Sequence, residues 1–146
     1  MNDVAAAEAL LQQQLDDLIR FRDVVEAQRA VLRMADRALL ERFAREAEEL
    51  AATVAGREVR LLTIRRSIQQ RDAGREPASI RTLAAQVDRA RQTASAEASA
   101  LARLMESEAR ELARELEATS RQLAQVLGGY SRQAAPGQPL LINRRG

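Results

Sequence analysis

The sequence predicts an all-α protein, an elongated antiparallel bundle or coiled coil of three long helices with a flexible C-terminal tail, on three observations. Apolar residues recur at seven-residue spacing, with a companion register three or four positions away, through nearly all of the chain. Alanine makes up about a fifth of the 146 residues, and with Leu, Glu, Gln and Arg it gives the profile of helical bundles. Apart from Gly56, glycine and proline fall only at Gly74 to Pro77 and from Gly128 onward, so they punctuate long helices rather than interrupt them.

Asn2 or Asp3 is placed to cap the first helix, after which Val4, Leu11, Leu18, Val25 and Leu32 fall at strict heptad spacing, widened by Leu15, Phe21 and Val24. This helix is predicted over 4–33. Near Met34 to Asp36 the seam changes phase, and Asp36 ahead of Arg37-Ala38-Leu39-Leu40 has the form of an N-cap. The sequence allows a tight break there or one uninterrupted helix with Asp36 in solvent.

The second helix, predicted over 36–72, carries Leu40, Ala47, Val54, Leu61 and Ile68 on one register and Phe43, Leu50 and Ile64 on the other. Arg57 is the one charged residue in this seam. Its long stem suits an arginine that lies along apolar surface and brings its guanidinium to water, rather than a buried ion pair. Ala73 and Gly74 ahead of Pro77 end the helix, and so short a loop implies an αα-hairpin.

Pro77 belongs to the first turn of a third helix, predicted over 77–127, whose seam begins with Ile80, Leu83, Val87, Ala90 and Ala94. A second line runs through Leu101, Met105, Ala109, Leu112, Leu116, Leu123 and Val126, so the register is expected to slip across the small residues Ala94 to Ala100. Such residues either let a neighbouring helix approach closely, their ordinary use, or leave a shallow groove. Acid-before-base pairs four apart, Glu41 with Arg45, Glu106 with Arg110 and Glu117 with Arg121, support the helical reading. Gly128 and Gly129 are expected to end the helix, giving a helical domain over 1–129 and a mobile tail over 130–146 with an apolar knot at Leu140, Leu141 and Ile142.

Function classes fall away by composition. With 23 basic residues, all arginine, against 21 acids, the formal charge of +2 argues against a dedicated nucleic-acid binder. The chain has no histidine and no cysteine, which excludes histidine-based triads, thiolate metal sites and Glu-x-x-His di-iron bundles. Carboxylate pairs such as Glu48 with Glu49 or Glu108 with Glu111 read as solvated helix faces, so no catalytic residue, metal site or cofactor is expected. The arginines between Arg57 and Arg75 are the one local excess of positive charge in the helical part, read as a solvated face near a helix C-terminus. The start, MNDVAAAEAL, lacks a basic region and a continuous apolar core, and no window approaches a membrane span. A soluble cytoplasmic protein is expected.

Two stretches resemble the FlgN family of flagellar export chaperones. One is Gln28 to Leu62, with QRAVL, Asp36, a leucine heptad holding the acidic EAEEL, and REVRLL. The other is the end of the third helix and the tail, with Leu123, Leu127, Gly129, Tyr130, Gly137 and a closing Leu-Ile-Asn-Arg-Arg. Helix order and length agree with the family, while Tyr130-Ser131 departs from the commoner tyrosine-glycine, and 74–100 match nothing in it.

The resemblance implies a cytoplasmic protein that covers the amphipathic terminal helices of hook-filament junction (hook-associated) proteins and delivers them to the export gate, docking through the tail tyrosine, Tyr130. Leu101, Leu104, Met105, Leu112, Leu116 and Leu123 are the expected client-binding residues, because the third seam extends beyond its overlap with the hairpin. Tyr130 also has the alternative of folding back on Val126 and Leu127. Surplus apolar surface implies weak homo-oligomers, and the rival reading is a self-associating structural coiled coil.

Overall fold

The computed structural model describes residues 2–72 and 74–133, with side chains through Gly129. It is all-α: α1 spans Asp3–Leu32, α2 spans Arg37–Arg71 and α3 spans Ala78–Gln133. The chain divides into two units, Met1–Met105 and Glu106–Gly146, taken here in turn.

In the first unit the helices start where polar side chains replace the missing backbone acceptors. Asn2 Oδ1 accepts the Val4 N–H at 3.1 Å and Asp36 Oδ1 accepts the Leu39 N–H at 3.1 Å. Between α1 and α2 the chain breaks rather than running through, and Ala35 takes φ 56°, a left-handed conformation normally left to glycine. The end of α2 is conventional: Gly74, at φ 85°, turns its N–H to the Gln69 carbonyl at 2.8 Å.

Interhelical pairs fix the topology of this unit. Asp3 meets Arg71, Asp17 meets Arg57 and Arg20 meets Glu46, so α2 runs antiparallel to α1. Ser79 donates to Glu8 and Arg29 pairs with Glu97, so α3 returns parallel to α1. The core joins Leu10, Leu11 and Leu18 of α1, Leu61 and Ile68 of α2, and Ile80, Ala84, Val87 and Ala94 of α3.

The register of α3 departs from expectation. Ile80, Val87, Ala94 and Leu101 are all buried at strict seven-residue intervals, so no slip occurs across Ala94 to Ala100. Of the small residues there Ala94 is buried and Ala98 and Ala100 are half-buried, while Ser95, Ala96 and Ser99 are exposed; Glu97 among them reaches Arg29 at 3.2 Å. In sequence the phase change falls later, between Leu101 and Ala109, where two consecutive four-residue steps (101, 105, 109) replace the alternation of three and four.

Arg57 also corrects the sequence reading. Its side chain is only 12 % exposed, and instead of reaching water it donates to Asp17 Oδ2 at 2.7 Å and to Gln14 Oε1 at 3.0 Å. The fully buried Gln14 in turn donates to the Val54 carbonyl at 3.0 Å and to Glu58 Oε2 at 3.1 Å, and the same Glu58 oxygen accepts from Arg91 Nη2 at 2.7 Å. A snorkelling geometry needs a free path to solvent beside the helix. Here α1 occupies that path and supplies the carboxylate. Glu41 likewise pairs with Arg37, not Arg45.

In the second unit the backbone continues helical through Gly128 and Gly129 to Gln133. Neither glycine adopts positive φ, so neither forms the left-handed cap that stops a helix, and the pair lowers helix propensity without ending it. Tyr130 therefore lies on helical backbone rather than in a tail. Residues 134–146, with the knot at Leu140 to Ile142, lie outside the described residues.

Candidate functional site

The heptad of the second unit places Ala109, Leu116 and Leu123 on one register and Leu112, Thr119 and Val126 on the other, a single stripe along the helix. A stripe of this kind is ordinarily core. Here it is uncovered: Leu112, Leu116 and Leu123 are 57 %, 61 % and 58 % exposed, and Val126 and Leu127 are exposed with them. No described side chain between Glu106 and Leu127 is buried. The helix is held by its own backbone bonds and by intrahelical ion pairs, Arg110 to Glu106 at 3.2 Å and Arg121 to Glu117 at 2.6 Å.

Charge is sorted around the stripe. Glu108, Glu111 and Glu115 each precede a stripe residue by one position, which sets them along one edge, whereas Arg110, Arg114 and Arg121 fall on the opposite side of the helix. Glu108, Ala109, Glu111, Leu112 and Glu115 together line a shallow surface depression. Among the described residues no group of three metal-ligating side chains converges. The surface can therefore offer apolar contact area bordered by carboxylates, and that suits recognition of another apolar helical face.

The predicted client-binding residues divide between the units. Leu112, Leu116 and Leu123 belong to the second unit and are accessible. Met105, at the end of the first unit, is exposed and Leu104 is half-buried. Leu101 is not available: it is buried in the first unit as the last member of the Ile80-Val87-Ala94 series. Its heptad spacing is the same whether the stripe faces a neighbour or water, so sequence alone does not separate it from Leu112. The side chain of Tyr130 lies outside the described residues, as does the choice between docking and folding back.

Three of the six arginines from Arg57 to Arg75 are tied into ion pairs, whereas Arg60, Arg66 and Arg75 are exposed and form no ion pair among the described residues. Arg57 is held by Asp17, Arg71 by Asp3 at 2.9 Å, and Arg65 by a two-pronged contact to Glu76 at 2.8 and 2.9 Å. The Arg65 hydrogen bond, opposed by desolvation and aided by Gln69, holds the Glu76 carboxyl below the usual glutamate range, and the same hydrogen bond raises Arg65 above its ordinary value. These pairs close the first unit structurally rather than marking a ligand site.

The feature that sequence reading missed is the polar layer through Gln14, Arg57, Glu58 and Arg91. One signal for it is present: Gln14 and Arg57 each occupy the companion register of their own helix's seam, and Arg91 lies one position beyond Ala90 on that of α3. No protein-family profile, curated protein or solved structure gives a match to this chain.

Proposed function

We propose that this chain is an export chaperone of the FlgN type, which holds the terminal helix of a hook-filament junction protein in the cytoplasm and passes it to the export gate. The single observation that carries this reading is the uncovered leucine stripe from Ala109 to Val126, a helical seam with no partner in its own unit. A client's amphipathic helix laid along it removes Leu112, Leu116 and Leu123 from water. Because each is already partly covered by its own helix, each contributes about 1–2 kcal/mol before the costs of association. Such a holding function requires contact area and reversibility, and it uses no nucleophile, metal or cofactor. The resemblance in Gln28 to Leu62 and Leu123 to Arg145 supplies the identity of the client. Tyr130 is proposed, on that resemblance, as the residue that docks on the gate's cytoplasmic domain.

The test is binding of purified hook-junction proteins to the full chain and to Leu112→Ser/Leu116→Ser, followed by titration calorimetry. The double variant is expected to keep its helicity and lose client binding by at least about a hundredfold. Unchanged binding would overturn the reading, and so would a variant that unfolds, since those leucines would then be core. Tyr130→Ala is expected to weaken gate binding and leave client binding intact. The opposite pattern overturns its role.

A further inference from the structure

Resting on the proposal that the second unit is a docking face, we infer that its occupant is an amphipathic helix carrying lysine or arginine along one edge of its apolar stripe. Negative charge on this helix stands uncompensated among the described residues. Glu106 and Glu117 are paired with Arg110 and Arg121, while Glu108, Glu111 and Glu115 form no ion pair among the described residues. Glu111 is three positions from Glu108 and four from Glu115, a like-charge spacing that disfavours the helix on which they sit. Their common position is one residue ahead of Ala109, Leu112 and Leu116, so any helix covering the leucines brings its own flanking side chains against them.

The same geometry selects among occupants. A second copy of this face has no cation directly beside its stripe, because the positions flanking it are Glu106, Glu108, Ala113, Glu115, Ser120, Gln122 and Leu127, with Glu111 and Arg110 set back equally on its two sides. Self-pairing therefore sets glutamates against neutral or acidic neighbours. An anionic lipid surface or a nucleic acid is repelled by the same edge. A helix with a basic edge satisfies both the apolar stripe and the three carboxylates. Across rim-exposed pairs this yields selectivity and faster association more than raw affinity.

The experiment uses the full chain and two designed, fluorescently labelled helical peptides of about three heptads, identical in their leucine stripe and carrying lysine or glutamate along one edge. Anisotropy is expected to show the lysine peptide binding roughly tenfold more tightly at low salt. The gap should close as salt rises. Glu108→Arg/Glu111→Arg/Glu115→Arg is expected to reverse the order of preference. If that variant loses its helical circular dichroism, the two peptides against the parent chain still decide the matter. Equal affinity, or preference for the glutamate peptide, overturns the basic-edge inference and leaves the docking face standing. No binding of either peptide, or binding that survives Leu112→Ser/Leu116→Ser, overturns the docking face and with it this inference. A stable dimer at micromolar concentration that Leu112→Ser/Leu116→Ser converts to monomer shows a second copy as the occupant and overturns it as well.

Discussion

Ala35 sits at φ 56° in the corner between α1 and α2, where a Cβ atom crowds the backbone. Ala35→Gly should relieve that crowding and give back part of the gain as extra freedom of the unfolded chain. The expected net effect is a stabilisation of about 0.5–1 kcal/mol, read as a higher urea midpoint at unchanged slope. Arg57 calls for the opposite experiment. Arg57→Met keeps the stem but strands Asp17 and the Gln14 carbonyl oxygen, and should cost about 1–3 kcal/mol. A double-mutant cycle with Gln14→Leu should show coupling, because part of that cost belongs to the partner left behind. The sequence made Arg57 visible as an oddity but could not give its partner, which lies on another helix some forty residues away. Only the register between helices, a property of three seams at once, brings Asp17 and Gln14 to it.

At the scale of the element, the connection from α2 to α3 depends on Glu76, whose side chain is 9 % exposed beneath Arg65 and Gln69. Its carboxyl is held below the ordinary value, so the folded state binds this proton more weakly than the unfolded state does. The stabilisation is therefore present above the unfolded glutamate value, near 4.3, and is lost as pH falls through the depressed folded value. Glu76→Gln should lower stability at neutral pH by about 1 kcal/mol and flatten the acid limb of the stability profile, checked by urea titrations from neutral to acidic pH. The stop at Gly74 was legible and the first start was narrowed to Asn2 or Asp3, because caps and glycines act locally, whereas the start at Asp36 stayed open in the sequence against an uninterrupted helix. The continuation of α3 past Gly128 and Gly129 was not, since a glycine ends a helix only when it takes the left-handed conformation, and that conformation is not written in its identity.

At the scale of the whole chain, identical heptads have two fates. Leu101→Ala should cost about 2–4 kcal/mol because it removes buried packing, whereas Leu112→Ala and Leu116→Ala should leave the thermal midpoint nearly unchanged. Circular-dichroism melts of the three single variants check this. The all-α class and the three seams could be read from periodicity, but burial could not, because it depends on which helices lie alongside. Unliganded chain should also show weak, reversible growth in sedimentation velocity only well above micromolar concentration, because the stripe is apolar while its acidic edge opposes self-pairing, and Leu112→Ser should reduce it.

The layer formed by Gln14, Arg57, Glu58 and Arg91 penalises a one-heptad slip of any helix, since a slip strands polar groups against leucine and alanine. It offers no such protection against exchange. A helix donated by another molecule carries the same residues at the same height, so a domain-swapped dimer would rebuild the layer intact. The corner at Ala35 is where such an exchange would open, because straightening it into continuous helix releases the left-handed strain. Concentrated or partly denatured samples should therefore yield dimers with native helix register, and Ala35→Gly should suppress them by removing the incentive to straighten.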